Sequence, residues 1–545
     1  MGGWSPFDSM LTFFLQQNFL SLATQIPNTL RRLLMELSRS SNFNKTVTSL
    51  VHLILDQQLK TIYRVLSSDK HGTMLAAIHL LTQLASVSRS SAPDILYRVV
   101  VSGFNAWPKL LSKKGSMREK EILHASKTRK SEGRESVRAA AVSFLLAILK
   151  NGNTATKENF LGNRILLAPL MKFLPLDANQ TVLDILSCLE ANVLRDKKVP
   201  RYLKSTLFAS ENLLNKLVGL QNQGGTANTE LNERIRRFLV DACTQTGNGI
   251  CFEDRGWYPR TDGQTSGEHQ VHNITLLRFI TQLEPLEDEF QRLLILHILE
   301  RCPELRGPYF SETKLSPDPS LTLSFICTTT LWRDIINLPL PTNLTDPLRL
   351  PDQPPPSNVV LASILPSSIT KFYLVKALNN NSILVRYSLC QLIFVVLNKL
   401  KEMDTIYKSA GGDWLTQLDV ITENISRRLP DSAIFLKLLE NVSNPRLLTH
   451  CTIKILALYN ELLSPIAINQ RIDGKAVSVA FQGNWDFTMP LDIVDLLHSV
   501  RLIQASGELN WWARQGVSLM FLGLYGRRHA EFVVFNSFAE GHHHI

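Results

Sequence analysis

The segment Val359–Met403, VVLASILPSSITKFYLVKALNNNSILVRYSLCQLIFVVLNKLKEM, constrains the fold of this chain more than any other stretch. Its pattern predicts two helices joined by a polar turn. A first helix over Ser367 to Leu378 sets Ile369, Phe372, Leu374 and Leu378 along one broad side. Asn379, Asn380, Asn381 and Ser382 follow, with short polar side chains that compete for backbone hydrogen bonds and so end one helix and cap the next. In the second helix Val385, Leu389, Leu392, Ile393, Val396, Leu397 and Leu400 recur at the i, i+4, i+7, i+8 spacing that paints one helical face. Such a pair cannot bury its own apolar sides. It needs a similar pair on each flank, which defines a helical repeat array.

An earlier segment carries the same pattern. Val137, Ala141, Phe144, Leu145, Ile148 and Leu149 fall at the offsets of Val385, Leu389, Leu392, Ile393, Val396 and Leu397, and both runs open on a Val-Arg pair, Val137-Arg138 and Val385-Arg386. A Val-Arg entrance is also a feature of HEAT-type repeats, where the Arg lies along the ladder between repeats. No stretch alternates convincingly enough to read as a sheet. The expected fold is therefore all-α: an armadillo/HEAT-like α-solenoid of stacked helix pairs with long polar loops.

At 545 residues the chain is too long for one compact core, which fits either several domains or one elongated array. Hydrophobic residues make up 44% and charged residues 19%, outside the regime of disorder. Cys188, Cys243, Cys251, Cys302, Cys327, Cys390 and Cys451 are scattered singly, which points to a reducing compartment and away from a zinc site. The first residues lack a basic signal-peptide region, Gln16, Gln17 and Asn18 interrupt any apolar core there, and Pro6 stands where a myristoylation site wants Ser or Thr. Ala139–Leu149 is the longest near-apolar run, far short of the roughly 20 residues needed to cross a bilayer. An intracellular, soluble protein without a membrane partner is expected.

The formal charge of +10 favours polyanions without naming one. Lys109 to Arg138 is the most basic window, with ten Lys and Arg against four Glu. It is either a solvated loop or a contact for a phosphate backbone, and Lys127-Thr128-Arg129-Lys130 also suits a nuclear address. No aromatic residue is interleaved there, so base stacking is not supported in that window. Lys113, Lys114, Lys127, Arg129 and Lys130 are the candidate RNA phosphate contacts. A second cluster, Arg195, Lys197, Lys198, Arg201 and Lys204, is better read as a solvated helix end favoured by the dipole.

Gly249 to Arg260, GICFEDRGWYPR, mixes Gly, Trp, Tyr and Pro too closely for a helix and predicts an ordered turn with aromatic anchors. A helix over Asp288 to Arg301 should bury Leu293, Leu294, Leu296, Ile298 and Leu299, with His297 a hydrogen-bonded core histidine. Pro339, Pro341, Pro347, Pro351, Pro354, Pro355 and Pro356 make the next loop a stiff connector rather than a polyproline ligand. Trp511, Trp512, Phe521, Phe532 and Phe538 mark an apolar tail, and His542, His543 and His544 a terminal run of weak metal affinity. Phosphate-loop, dinucleotide, His-Glu-x-x-His and Gly-x-Ser-x-Gly patterns are absent, which argues against an enzyme; no cofactor, metal or small-molecule substrate is expected.

Five segments carry a resemblance: Leu231–Thr244, Gly249–Pro259, Asn273–Leu305, Ile364–Leu400 and Asn484–Leu497. In order and spacing they resemble the N-terminal domain of the nucleolar pre-ribosomal-associated protein family, large-subunit ribosome assembly factors, over about 73–497. The resemblance implies a non-catalytic helical scaffold in the nucleus and nucleolus, acting in early 60S assembly and rRNA processing. It also implies pre-ribosomal RNA and assembly factors as partners, among them a DEAD-box RNA helicase. The expected organisation is one array over 1–505, with inserted loops at about 112–134, 252–273 and 339–358, and a cap or truncation end at 506–545. A protein-protein adaptor of the armadillo type, unrelated to ribosomes, is the alternative.

Overall fold

Ser136, Asn153, Asn163, Asp288, Thr322 and Thr370 each stand one residue ahead of a helix, and each side-chain oxygen accepts a hydrogen bond from a backbone N–H of the first turn. These donors have no partner inside their own helix, so the short polar residues fix where helices begin. In the computed structural model, residues 25–463 are described, apart from 40, 67–69, 88–91, 103–105, 113–135, 210–212, 224–228, 253–254, 259–270, 314, 316–317, 347 and 441–444. Among the described residues every regular element is a helix and none is a strand. The fold is all-α, as its periodicity predicts.

The chain divides into two compact units, one of Met1–Glu253 with Asn273–Leu283, the other of Asp254–His272 with Glu284–Ile545. In the first, Gln25–Ser38, His71–Val87, Val137–Asn151, Asn179–Leu189 and Thr229–Thr244 pack each against the next. A second set, Ala92–Ser102, Thr154–Gly162, Arg201–Ala209 and Leu213–Gln223, does the same alongside. In the other unit the sequence of contacts is Glu289–Arg301, Leu323–Asn337, Ile383–Ala410 and Arg446–Leu462, flanked by Arg306–Glu312, Ser357–Ile364 and Asp413–Arg428. Helices inside each series therefore bury apolar stripes against neighbours both earlier and later in the chain.

The two matched helices bury every position their spacing marks. Val137, Ala141, Phe144, Leu145, Ile148 and Leu149 are core residues, and so are Val385, Leu389, Leu392, Ile393, Val396, Leu397 and Leu400. The second helix, Ile383–Ala410, is 28 residues and is ended by Gly411 and Gly412, both at positive φ, where a side chain would strain the backbone. By length and composition it could cross a membrane, so Ala139–Leu149 is not the longest apolar candidate. Its apolar face is instead occupied by Leu323–Asn337 and Arg446–Leu462.

The first helix of that pair departs from expectation. It spans Lys371–Leu378, because Thr370 caps it and Ile369 is held in a turn by its N–H donating to Pro366 O at 3.0 Å. The late start puts Tyr373 and Ala377 in the core and leaves Phe372 78% exposed. In Glu289–Arg301 the buried stripe is Leu294, Ile295, Ile298 and Leu299; Leu293 and His297 face outward. His297 is therefore no core histidine. The proline-rich loop is pinned from several sides: Arg306 donates to Pro339 O at 2.8 Å, Tyr258 to Gln353 O at 2.8 Å and Gln417 to Pro355 O at 3.2 Å. Those three hydrogen bonds tie its backbone to neighbouring segments.

Candidate nucleic-acid interface

Glu190 organises the most cation-rich surface among the described residues of the first unit. The helix Asn179–Leu189 widens into a π turn over Glu190–Leu194, closed by the Arg195 N–H donating to Glu190 O at 3.0 Å. Such widened turns carry one residue more than an α-turn and are frequent at functional sites. Here the widening lets a buried carboxylate meet two guanidinium groups. Arg195 reaches one oxygen of Glu190, and Arg234, from Thr229–Thr244, reaches the other.

The carbonyls at the end of this helix need donors. Lys204, buried in Arg201–Ala209, supplies one by donating from Nζ to Leu194 O at 2.8 Å. Burial lowers the Lys204 pKa, with the Asp196 charge opposing and the Arg201 charge adding to the fall. Asp196 accepts from the Lys198 N–H at 3.0 Å and from Lys157 Nζ at 2.8 Å. Burial acts to raise the Asp196 pKa, but those hydrogen bonds and the charges of Lys157 and Lys198 outweigh it and hold the carboxyl below its usual range.

Seven cations, Lys157, Arg195, Lys197, Lys198, Arg201, Lys204 and Arg234, thus belong to the segments that meet around Glu190 and Asp196. Three are ion-paired, and Lys204 and Arg201 donate to backbone carbonyls, of Leu194 and Cys251. Lys197 and Lys198 are left exposed at the tip of the Asp196–Val199 turn, with no side-chain hydrogen bond or ion pair among the described residues. The solvated helix-end reading of this cluster fits the exposed Lys197 and Lys198; Lys204 meets the helix end from a buried position instead.

An aromatic ring meets one of these cations. Arg201 places its guanidinium 4.5 Å from the centroid of the Phe252 ring, and the Phe252 N–H donates to Asn273 Oδ1 at 2.8 Å. Phe252 belongs to the expected Gly-rich turn. Ile250 N–H reaches back to Ala242 O at 2.9 Å, which ends Thr229–Thr244, and Gly249 is required because a Cβ there would lie 2.3 Å from the same oxygen. Ile250 and Cys251 anchor this part in the core, as does Trp257 in the other unit. Tyr202, one residue beyond Arg201, is 65% exposed. Sequence separation hides this grouping, since Phe252 lies 51 residues after Arg201.

The five predicted phosphate contacts, Lys113, Lys114, Lys127, Arg129 and Lys130, lie outside the described residues, as do Asn484–Leu497, the tail 506–545 and its histidines. Arg138, counted in the same basic window, is interior. It pairs with Asp177 at 2.7 Å and donates to the carbonyls of Leu111 and Leu170, so it adds nothing to a surface field. Arg386, its counterpart in sequence, is not fully buried and makes no such pair.

Among the described residues no group of three or more His, Cys, Asp or Glu is placed to share a metal ion. Burial pushes Cys188 up to about 11, against the opposing effects of Asn192, Lys150 and Lys157, and pushes Cys451 up to about 12 against Lys454. Both shifts run opposite to that of an activated thiolate.

A family model described as ribosome 60S biogenesis N-terminal matches residues 9–328. The chain is 25% identical over 447 residues to a Saccharomyces cerevisiae protein named nucleolar pre-ribosomal-associated protein 1, a match covering 79% of this chain and 24% of that protein. To the Homo sapiens protein of the same name it is 24% identical over 447 residues, covering 73% of this chain and 18% of the relative. The match thus spans about a quarter or less of each relative's length. A crystal structure of an engineered protein aligns over 87% of this chain and 94% of its own at 12% identity, but with a TM-score of 0.26 that likeness carries no argument. Since the family model covers more than half of the sequence, the chain belongs to the Npa1 family, ribosome 60S biogenesis N-terminal.

Proposed function

We propose that the chain is a non-catalytic scaffold of early 60S assembly and rRNA processing, which holds precursor ribosomal RNA and assembly factors together in the nucleolus. Family membership carries this reading, and the relatives' nucleolar, pre-ribosomal names support it. Within each unit the ordered helix contacts favour an armadillo/HEAT-like stacking of pairs, a form that offers extended surfaces to several partners at once. An RNA helicase of the DEAD-box class is a further expected partner on the family resemblance.

The mechanism is geometric and electrostatic. Spaced lysines and arginines on a helical framework neutralise phosphates and release counterions without reading base edges. Lys113, Lys114, Lys127, Arg129 and Lys130 are the proposed phosphate contacts. The test is equilibrium binding of the chain to a large-subunit precursor RNA across a salt series, repeated with all five residues changed to Glu. The variant should bind more weakly, and its plot of log affinity against log salt should flatten by roughly 0.7 to 0.9 per lost contact. An unchanged affinity and slope would remove these residues from the interface, and no binding by the parent chain would favour a protein-only scaffold.

A further inference from the structure

Two observations at the Glu190 cluster are not explained by phosphate attraction alone. Tyr202 stands on the first turn of Arg201–Ala209 with 65% of its surface exposed, although a tyrosine ring gains by burial. One residue earlier in the same helix, the Arg201 guanidinium lies over the Phe252 ring, itself 37% exposed, and both residues of that stack are tethered: Arg201 by the Cys251 carbonyl, Phe252 through its backbone N–H by Asn273. The result is one free ring and one preformed cation-aromatic plate. Lys197 and Lys198 precede Arg201 and Tyr202 by three to five residues in sequence, exposed and with no side-chain hydrogen bond or ion pair among the described residues.

Unpaired RNA is the ligand whose chemistry matches this set. Splayed bases stack on tyrosine and phenylalanine rings and on arginine planes, while the adjoining phosphates take lysines. A duplex keeps its bases stacked on one another and can use only the lysines. Building on the scaffold reading above, we propose that Tyr202 and the Arg201–Phe252 plate stack unpaired nucleotides of an RNA whose phosphates contact Lys197 and Lys198. The surface discriminates single strands from helices and is tolerant of sequence, because every base has a π-face.

The experiment measures binding of the full chain to a short oligouridine and to an RNA duplex of equal length, for the parent, Tyr202→Ala, Tyr202→Phe and the pair Lys197→Glu with Lys198→Glu. Tyr202→Ala should weaken oligouridine binding roughly five- to 100-fold with the salt slope unmoved, leave duplex binding unchanged, and be rescued by Tyr202→Phe. The lysine pair should flatten the salt slope on both RNAs. The exposure of Tyr202 makes a thermal melt of Tyr202→Ala superimposable on the parent's, so a binding loss is not unfolding. If Tyr202→Ala binds oligouridine like the parent while the lysine pair still flattens the slope, stacking is overturned and the scaffold reading stands. An equal loss on both RNAs overturns it as well. If the parent binds neither RNA, the RNA-holding part of the scaffold reading fails together with it.

Discussion

Arg138, Lys204, Arg306 and Arg428 share one task. Each extends a long cationic side chain to backbone carbonyls at a helix end or turn: Leu111 and Leu170, Leu194, Leu299 and Pro339, and Pro366 with Ile369. These cations count toward the chain's basic balance but are engaged inside the fold. Arg138 is the most committed, with Asp177 as its ion-pair partner and side-chain exposures of 2% and 6%. Burial raises the Asp177 pKa against the hydrogen bond and charge of Arg138, so the pair sits where charge is costly. Asp177→Ala leaves that charge uncompensated and should cost about 3 kcal/mol in urea unfolding, whereas Arg427→Ala, which removes an exposed pair with Glu423, should cost no more than about 0.5 kcal/mol. Equal effects would contradict this placement. Asp196 supplies a pH signature. Its folded pKa lies below the ordinary 3.8, so the stability it contributes is present above pH 3.8 and is lost as pH falls through the folded value. Asp196→Asn should therefore melt below the parent at neutral pH, and the gap should close as acid protonates Asp196; a gap constant across that range would refute the linkage.

The helices show which local signals survive packing. Period and face were legible in Val137–Asn151 and Ile383–Ala410, because every marked apolar position is core. Phe372 and Tyr373 were not separable, since the face of a short helix depends on its first residue, and the cap at Thr370 moves that start four residues from the periodic estimate. The same limit applied to Leu293 and His297, which an all-apolar run cannot assign to a side. Arg138 and Arg386 share an entrance in sequence, yet among the described residues only Arg138 has an acidic ion-pair partner, Asp177, which comes from a distant turn. The end of Thr229–Thr244 offers a test at this scale. A methyl group on Gly249 would collide with the Ala242 carbonyl, whereas at Gly247, with φ of 86°, it would meet only backbone strain. Gly249→Ala should destabilise by about 2–3 kcal/mol and Gly247→Ala by about 1–2 kcal/mol, compared by thermal or urea unfolding; the reverse order would show that the Ala242 contact does not close this turn.

At the scale of the molecule, the chain is a member of a 60S biogenesis family, all-α over its described residues, with two units in which helices pack in chain order. Its fold class followed from one face repeated in two helices. The interface around Glu190 did not, because it joins Lys157, the turn after Leu194, Arg234 and Phe252, segments brought together only by packing. On the proposed reading, that cluster and the basic sequence window from Lys113 to Lys130 both contact one polyanion. Crosslinking the chain to RNA in cells and sequencing what is attached tests the scaffold most directly. Fragments of large-subunit precursor RNA should dominate over their share of total cellular RNA. Reads that mirror total RNA, or none above an uncrosslinked control, would contradict a role in holding the pre-ribosome.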